Sequence, residues 1–533
     1  MDQHKNRSIE ETGQTSGRQA LWLVALAPAL ALILALAVLS AYASTPLSIA
    51  GYADFSYGDV IAAEPSANTA QSKVWWNDGY WWGILYNTGE AEFSIYRLDA
   101  DQQEWVDTGT AVDSRPNSRA DALWDDEEQK LYVASHVKLE NPSPPNNNPD
   151  NWARLFRYSY ESGNNTYSLD TNFPAADVNQ YISEALVLDK DSTGRLWTTW
   201  AGRTVTGTYH IYVSYTETAG NDLVWSEALT LPFQAEGTVS IDDISALVAF
   251  EDGEGPKIGV VWSNQLDDNF YFATHKDGDP PESWTLDGNF SAAMAGVPAD
   301  DHMDFAKTAD GRLFIVIKTG IDPISEPNEP LIGVVARESN GTTSFIEVGP
   351  GDSRDTRPIA VVNEDTPELY VFASSKSGGE AICQFTAAIT SPLSNMIFDA
   401  ENCSPPDGEP ADSPAALANL VNAPIFIGDV TTYHVINNAS STKQQVTGAS
   451  GVLVLASDEG EKYYVHNLEG GTIPDPQETA TPTPTATATV TGTATATATP
   501  MGTPPVTGTP PPTATSGPPP EGDYFLYLPF WAK

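Results

Sequence analysis

Asp191-Ser192-Thr193-Gly194-Arg195-Leu196-Trp197-Thr198-Thr199-Trp200 decides how this chain is read. Its first half is turn chemistry: an aspartate whose side chain can bond to nearby backbone, then a glycine free to take a left-handed conformation. Its second half, β-branched and aromatic, suits a pleated and largely buried strand. The phrase recurs as Asp126-Glu127-Glu128-Gln129-Lys130-Leu131-Tyr132-Val133-Ala134-Ser135, as Asp310-Gly311-Arg312-Leu313-Phe314-Ile315-Val316-Ile317, and as Glu368-Leu369-Tyr370-Val371-Phe372-Ala373-Ser374. Looser copies begin at Gly79, Lys257 and Gly451. Anchored on residues 81, 131, 196, 258, 313, 369 and 453, the copies lie 50, 65, 62, 55, 56 and 84 residues apart.

A phrase repeated at that spacing means stacked modules, and a module of four short antiparallel strands is a propeller blade. Further strands follow the anchored one, at Phe93–Arg97, Tyr209–Tyr215, Phe270–Ala273 and Tyr463–His466, and tryptophan-bearing edges follow at Trp105, Trp225 and Trp284. The expected fold class is all-β: a β-propeller of four-stranded antiparallel blades over residues 44–473. Seven anchors favour seven blades, and the long last interval keeps six as the alternative. Tandem sandwiches would show no common period.

The chain has 533 residues, with 26 Lys plus Arg against 71 Asp plus Glu, a formal net charge of −45. Such a surface repels phosphate backbones and anionic lipid, which excludes a nucleic-acid binder and a polybasic membrane-surface protein. Two cysteines exclude a disulfide-rich scaffold, a cysteine zinc site and an iron–sulfur centre.

The ends speak to location. Ala20–Leu39 is uncharged and long enough to span a bilayer, and Ala41-Tyr42-Ala43 fits a signal-peptidase site, so residues 1–43 are expected to be a signal peptide or a signal anchor. Residues 474–522 are a Thr/Pro-rich linker that buries too little to fold; its prolines favour an extended stalk. Residues 523–533 form a short aromatic tail, read either as a docking tag or as a strand folding back. This plan predicts a secreted or surface-anchored protein, a membrane entering only through an uncleaved N-terminal segment.

The order of phrases, strand, Asp-x-x-Gly-x-Leu-Trp, strand, exposed hairpin and Trp-bearing edge, resembles the secreted bacterial propellers of the sialidase-like (BNR) type over residues 70–470. The chain departs from that family in lacking an intact Asp-box (Ser-x-Asp-x-Gly-x-x-Trp) and the Arg-Ile-Pro motif. The resemblance implies carbohydrate as the ligand class, and arginines able to grip a substrate carboxylate.

Polar groups stand at the start of five innermost strands: Arg119 and Asp121, Ser183 and Glu184, Asp242 and Asp243, Asp301, His302 and Asp304, and Arg354, Asp355 and Arg357. Closing the ring brings them around one channel mouth. Three readings follow: mutual neutralisation, ligand binding, or catalysis. For catalysis, Glu184, Asp243, Asp301 and Asp304 supply carboxyls for acid and nucleophile roles, and His302 a general acid or base. No catalytic residue is assigned. The expected function is binding of an extracellular glycan or protein at this face by a monomeric propeller, with a sialidase-like glycoside hydrolase and a ligandless envelope protein as the alternatives.

No cofactor is expected, calcium apart: Asp189 and Asp191 offer oxygen ligands without completing a calcium loop, and aspartates in tight turns are ordinarily local caps. The cluster Trp75, Trp76, Tyr80, Trp81 and Trp82 suits sugar stacking or, more often, core between blades. Cys383 and Cys403 are expected on neighbouring strands, bonded to one another and closing a loop that contributes about 3 kcal/mol, or else as two buried thiols.

Overall fold

The computed structural model describes residues 52–59, 64–66, 70–138, 143–233, 235–351, 355–375, 382–399 and 436–471. The chain divides into two units, Met1–Asp475 and Pro476–Lys533, the second wholly outside the described residues. So the leader, the Thr/Pro linker, the aromatic tail, Arg354 and Cys403 all fall outside them.

Seven antiparallel sheets follow one another along the described chain, and each anchor of the repeated phrase falls on the second strand of its sheet. Blade one runs Val74–Asn77, Tyr80–Asn87, Glu92–Asp99 and Glu104–Asp113. Blade two runs Ser118–Asp125, Lys130–Val137, Ala153–Glu161 and Ala175–Asn179, with Thr166–Leu169 attached to its third strand. Blade three is Val187–Lys190, Leu196–Arg203, Tyr209–Thr218 and Asn221–Trp225, with two short additions. Blade four is Ser245–Asp252, Gly255–Asn264, Asn269–Lys276 and Thr285–Leu286; blade five is Ala299–Lys307, Leu313–Thr319, Pro330–Arg337 and Thr343–Pro350. Blade six shows three described strands, Asp355–Asn363, Glu368–Ser375 and Ile382–Ala388, with Cys383 buried in the last.

Blade seven closes the ring. Its first three strands, Ile436–Ser440, Val452–Asp458 and Tyr463–Glu469, come from the far end of the sequence, and its outer strand is Tyr52–Ser56. The first and last strands of the described chain are therefore stitched into one sheet. His466 and Asp54 lock the seam, with imidazole Nδ1 2.9 Å from the carboxylate and both side chains buried.

Turn chemistry positions the repeats. Asp191 Oδ1 accepts from the amides of Thr193 and Arg195, and Oδ2 accepts from the Trp197 indole, so the turn is tied to the strand it launches. Gly194 takes φ +87° there. Gly311, at φ +85°, lies so close to blade four that an added Cβ would collide with the Glu251 carbonyl. Between blades the packing is aromatic: Trp75 and Trp82 of blade one meet Tyr167 of blade two edge-on, at 5.7 and 5.0 Å, and the Tyr167 hydroxyl accepts from the Trp75 indole. Trp75, Trp81 and Trp82 are core; Trp76 and Tyr80 are only partly buried. Among the described residues, no helix is long and apolar enough to cross a membrane.

Candidate functional site

Each inner strand has one edge without a partner in its own sheet, so its amides need acceptors from elsewhere. Aspartates supply them across blade boundaries. Asp121 of blade two accepts from Leu188 of blade three at 2.6 Å, Asp189 of blade three from Ala249 of blade four at 2.7 Å, and Asp304 of blade five from Ala360 of blade six at 3.1 Å. Asp121 and Asp304 stand on the same rung of their sheets, opposite Ala134 and Val316, each three residues past its anchor.

The predicted polar ring therefore separates into two levels. At the mouth where inner strands begin, Glu184, Asp242 and Asp301 converge, with carboxylate oxygens within 4.8 Å of one another. Asp300, Asp301 and His302 form a second such group, with His302 bonded to both aspartates and Lys318 paired to Asp300. Burial alone would raise Asp300; its bond from His302 and the Lys318 charge hold it below the ordinary carboxylate range. These two groups are the ones among the described residues with spacing for a metal ion. Asp189 and Asp191 are not in them, since backbone amides and the Trp197 indole occupy their oxygens.

Other predicted residues turn elsewhere. Asp243 accepts from the amides of Ser240 and Gln265, and burial raises it to about 6. Arg119 is buried and donates to the Ser118 carbonyl at 2.7 Å; Asp355 is wholly buried at the start of its strand. Arg357, at φ +52°, lies 3.7 Å from Glu64, which also pairs with Lys138.

Deeper in the channel lies a feature that sequence reasoning missed. The chain after Ser440 crosses the axis and touches blades on every side. Lys443 pairs with Asp121 and donates to the Leu188 carbonyl, Gln444 bonds both backbone groups of Trp76, Gln445 donates to the Lys307 carbonyl, and Val446 exchanges backbone bonds with Val362 and Glu364. This crossing segment helps explain the long last interval in the repeat.

It also forms one wall of an axial cavity of about 520 Å³. Trp75, Trp76, Trp124 and Phe305 supply aromatic surface, Asn77, Gln444 and Gln445 amides, Lys307 and Lys443 ammonium groups, and Asp304 a carboxyl. Asp78 and Asp126, exposed in turns between first and second strands, place its opening at the end of the ring opposite the Glu184 group. Asp304 is partly accessible and lines this cavity; burial raises it to about 7, against a smaller pull from the Ala360 amide. The arrangement can stack a ring on indole, bond hydroxyls through amides, and offer or take one proton near neutrality.

No protein-family model matches the chain, and no curated protein matches it in sequence. Among solved structures it is similar to an ulvan lyase of a new polysaccharide lyase family, with 11% identity, a TM-score of 0.44, and 77% of this chain and 96% of that one covered. It is also similar to AofleA from Arthrobotrys oligospora, at 10%, 0.39, 66% and 90% in the same order. A Hadza microbial sialidase follows at 11%, 0.37, 63% and 68%. Likeness this distant carries nothing about substrate, and the wheel rests on the chain's own strand order.

Proposed function

We propose that this protein is an exported, surface-held propeller that binds carbohydrate in its axial cavity. The observation carrying the reading is the lining of that cavity, where the partly exposed Trp76 stands beside amides of Asn77, Gln444 and Gln445 and the carboxyl of Asp304. A concave pocket of a few hundred Å³ with aromatic walls and few polar groups is the usual form of a small-ligand site. Export is supported by the apolar leader with its Ala41-Tyr42-Ala43 site, and surface display by the Thr/Pro linker. The working face is thus the cavity opening rather than the mouth at which inner strands begin. Isothermal titration of the full-length chain against a glycan panel tests this: a binder is expected whose affinity falls about tenfold in Trp76→Ala, a change of about 1.4 kcal/mol. Binding untouched by that substitution would overturn the axial assignment.

A second reading is favoured by Asp304 itself. A cavity-facing carboxyl raised to about 7 suits a proton donor in glycan cleavage. Fluorogenic glycosides decide between the two: turnover lost at least a hundredfold in Asp304→Asn marks an enzyme, and binding without turnover marks a binding module.

A further inference from the structure

Away from the axis, a second cavity of about 360 Å³ lies in the crevice between the outer strands of blades two and three. Asp177–Tyr181, running off the outer strand Ala175–Asn179, forms one wall. Trp225–Ala228, leaving the outer strand Asn221–Trp225, forms the other.

The wall contains a buried donor with nothing to bond. Asn179 is 3% exposed; its Oδ1 accepts from the Tyr181 amide at 2.7 Å, while its Nδ2 makes no hydrogen bond. Behind it the Trp200 indole N–H is likewise unbonded, packed 5.8 Å from Tyr181 and stacked on Tyr212. Buried donors are nearly always satisfied, and of these two the Asn179 Nδ2 belongs to the cavity wall, where it points to a hydroxyl or water arriving from that cavity. Asp177 sits at φ +81°, its carboxylate held by the Gln180 amide at 2.8 Å. Trp225, partly buried, and Tyr181 give aromatic surface, Glu227 a second carboxylate, and no Lys, Arg or His lines the space.

We infer that this crevice is a second carbohydrate site, taking a neutral sugar ring stacked on Trp225 with its hydroxyls shared between Asp177, Glu227 and the Asn179 amide. The volume is at the small end for ligand pockets, which suits one or two rings rather than a long chain. Two carboxylates without a cation repel uronate, sialate, sulfate and phosphate groups, so the selectivity is set by repulsion as much as by contact. The inference rests on the carbohydrate reading of the propeller, yet concerns a site that succeeds or fails separately from the axial one.

Titration of the full-length chain with maltohexaose, cellohexaose, xylohexaose and a hexamer of galacturonate tests it. For at least one neutral hexasaccharide, binding that persists in Trp76→Ala is expected to weaken tenfold or more in Trp225→Ala. Asp177→Asn keeps a residue that tolerates the left-handed backbone, so it is expected to fold normally by circular dichroism and to weaken the same binding about fivefold. Galacturonate hexamer is expected not to occupy the crevice. Full binding by both crevice variants, loss of all binding in Trp76→Ala, or no binding of any neutral hexasaccharide would overturn the inference. Crevice binding that survives Trp76→Ala while no axial binding is seen would instead leave it standing and remove the axial proposal.

Discussion

Asp304 holds its proton more tightly folded than unfolded, because the channel removes water from around its carboxyl. A carboxyl raised from the ordinary 3.8 to about 7 contributes stability that is fully present below pH 4 and lost as pH rises toward 7. Asp304→Asn keeps an oxygen for the Ala360 amide and removes the titration. It is therefore expected to gain stability over the parent with rising pH, on the order of 4 kcal/mol at pH 8 and near zero at pH 4, measured by urea unfolding across that range. Equal gains at both pH values would show that the carboxyl is not held protonated. Lys443 poses a related case. Asp121 is fully buried, and burial raises its carboxyl against the pull of the Lys443 ammonium, so Lys443→Ala is expected to destabilise the fold near neutral pH, by up to about 3–5 kcal/mol, and less in acid, where the carboxyl is protonated. Adding Asp121→Asn to that variant is expected to restore part of the loss, which a pure packing defect at residue 443 would not allow.

At the scale of strands, the seam of blade seven carries a clear expectation. Tyr52–Ser56 fills the outer place of a sheet whose other strands lie about four hundred residues away, and Asp54 faces His466 in a dry environment. Asp54→Ala is expected to lower stability by about 3 kcal/mol and to speed protease cleavage near Tyr52 before the remaining ring is cut. The blades themselves were legible because Leu131, Leu196, Leu313 and Leu369 each start a buried second strand just after a turn, a local pattern that repeats. The seam was less visible, though a signal existed: the last anchored phrase leads into a Thr/Pro tract with no outer strand left to follow it. The two levels of the polar ring could not be read at all. Asp301 and Asp304 share one strand, and a register shift between Ala299 and Met303 decides which of them stays at the mouth. Lys443 meets Asp121 across 322 residues, a distance over which no periodicity speaks.

For the molecule as a whole, a net charge of −45 means that folding concentrates like charges. Raising sodium chloride from 20 to 500 mM shortens the Debye length from roughly 20 Å to about 4 Å, so the melting temperature is expected to rise by several degrees in calorimetry. A flat response would mean that the paired mouth groups already absorb the repulsion. The seam has a mechanical meaning too. Tyr52 pairs with His466, three residues before the last strand ends at Glu469, so both ends of the described chain leave the wheel at the same corner. Tension applied between a leader fixed on one side and a stalk pulled from the other would reach the seam as peeling, one rung at a time, and not as shear along the whole strand. Such a load would open the wheel at that corner first, with six sheets still intact.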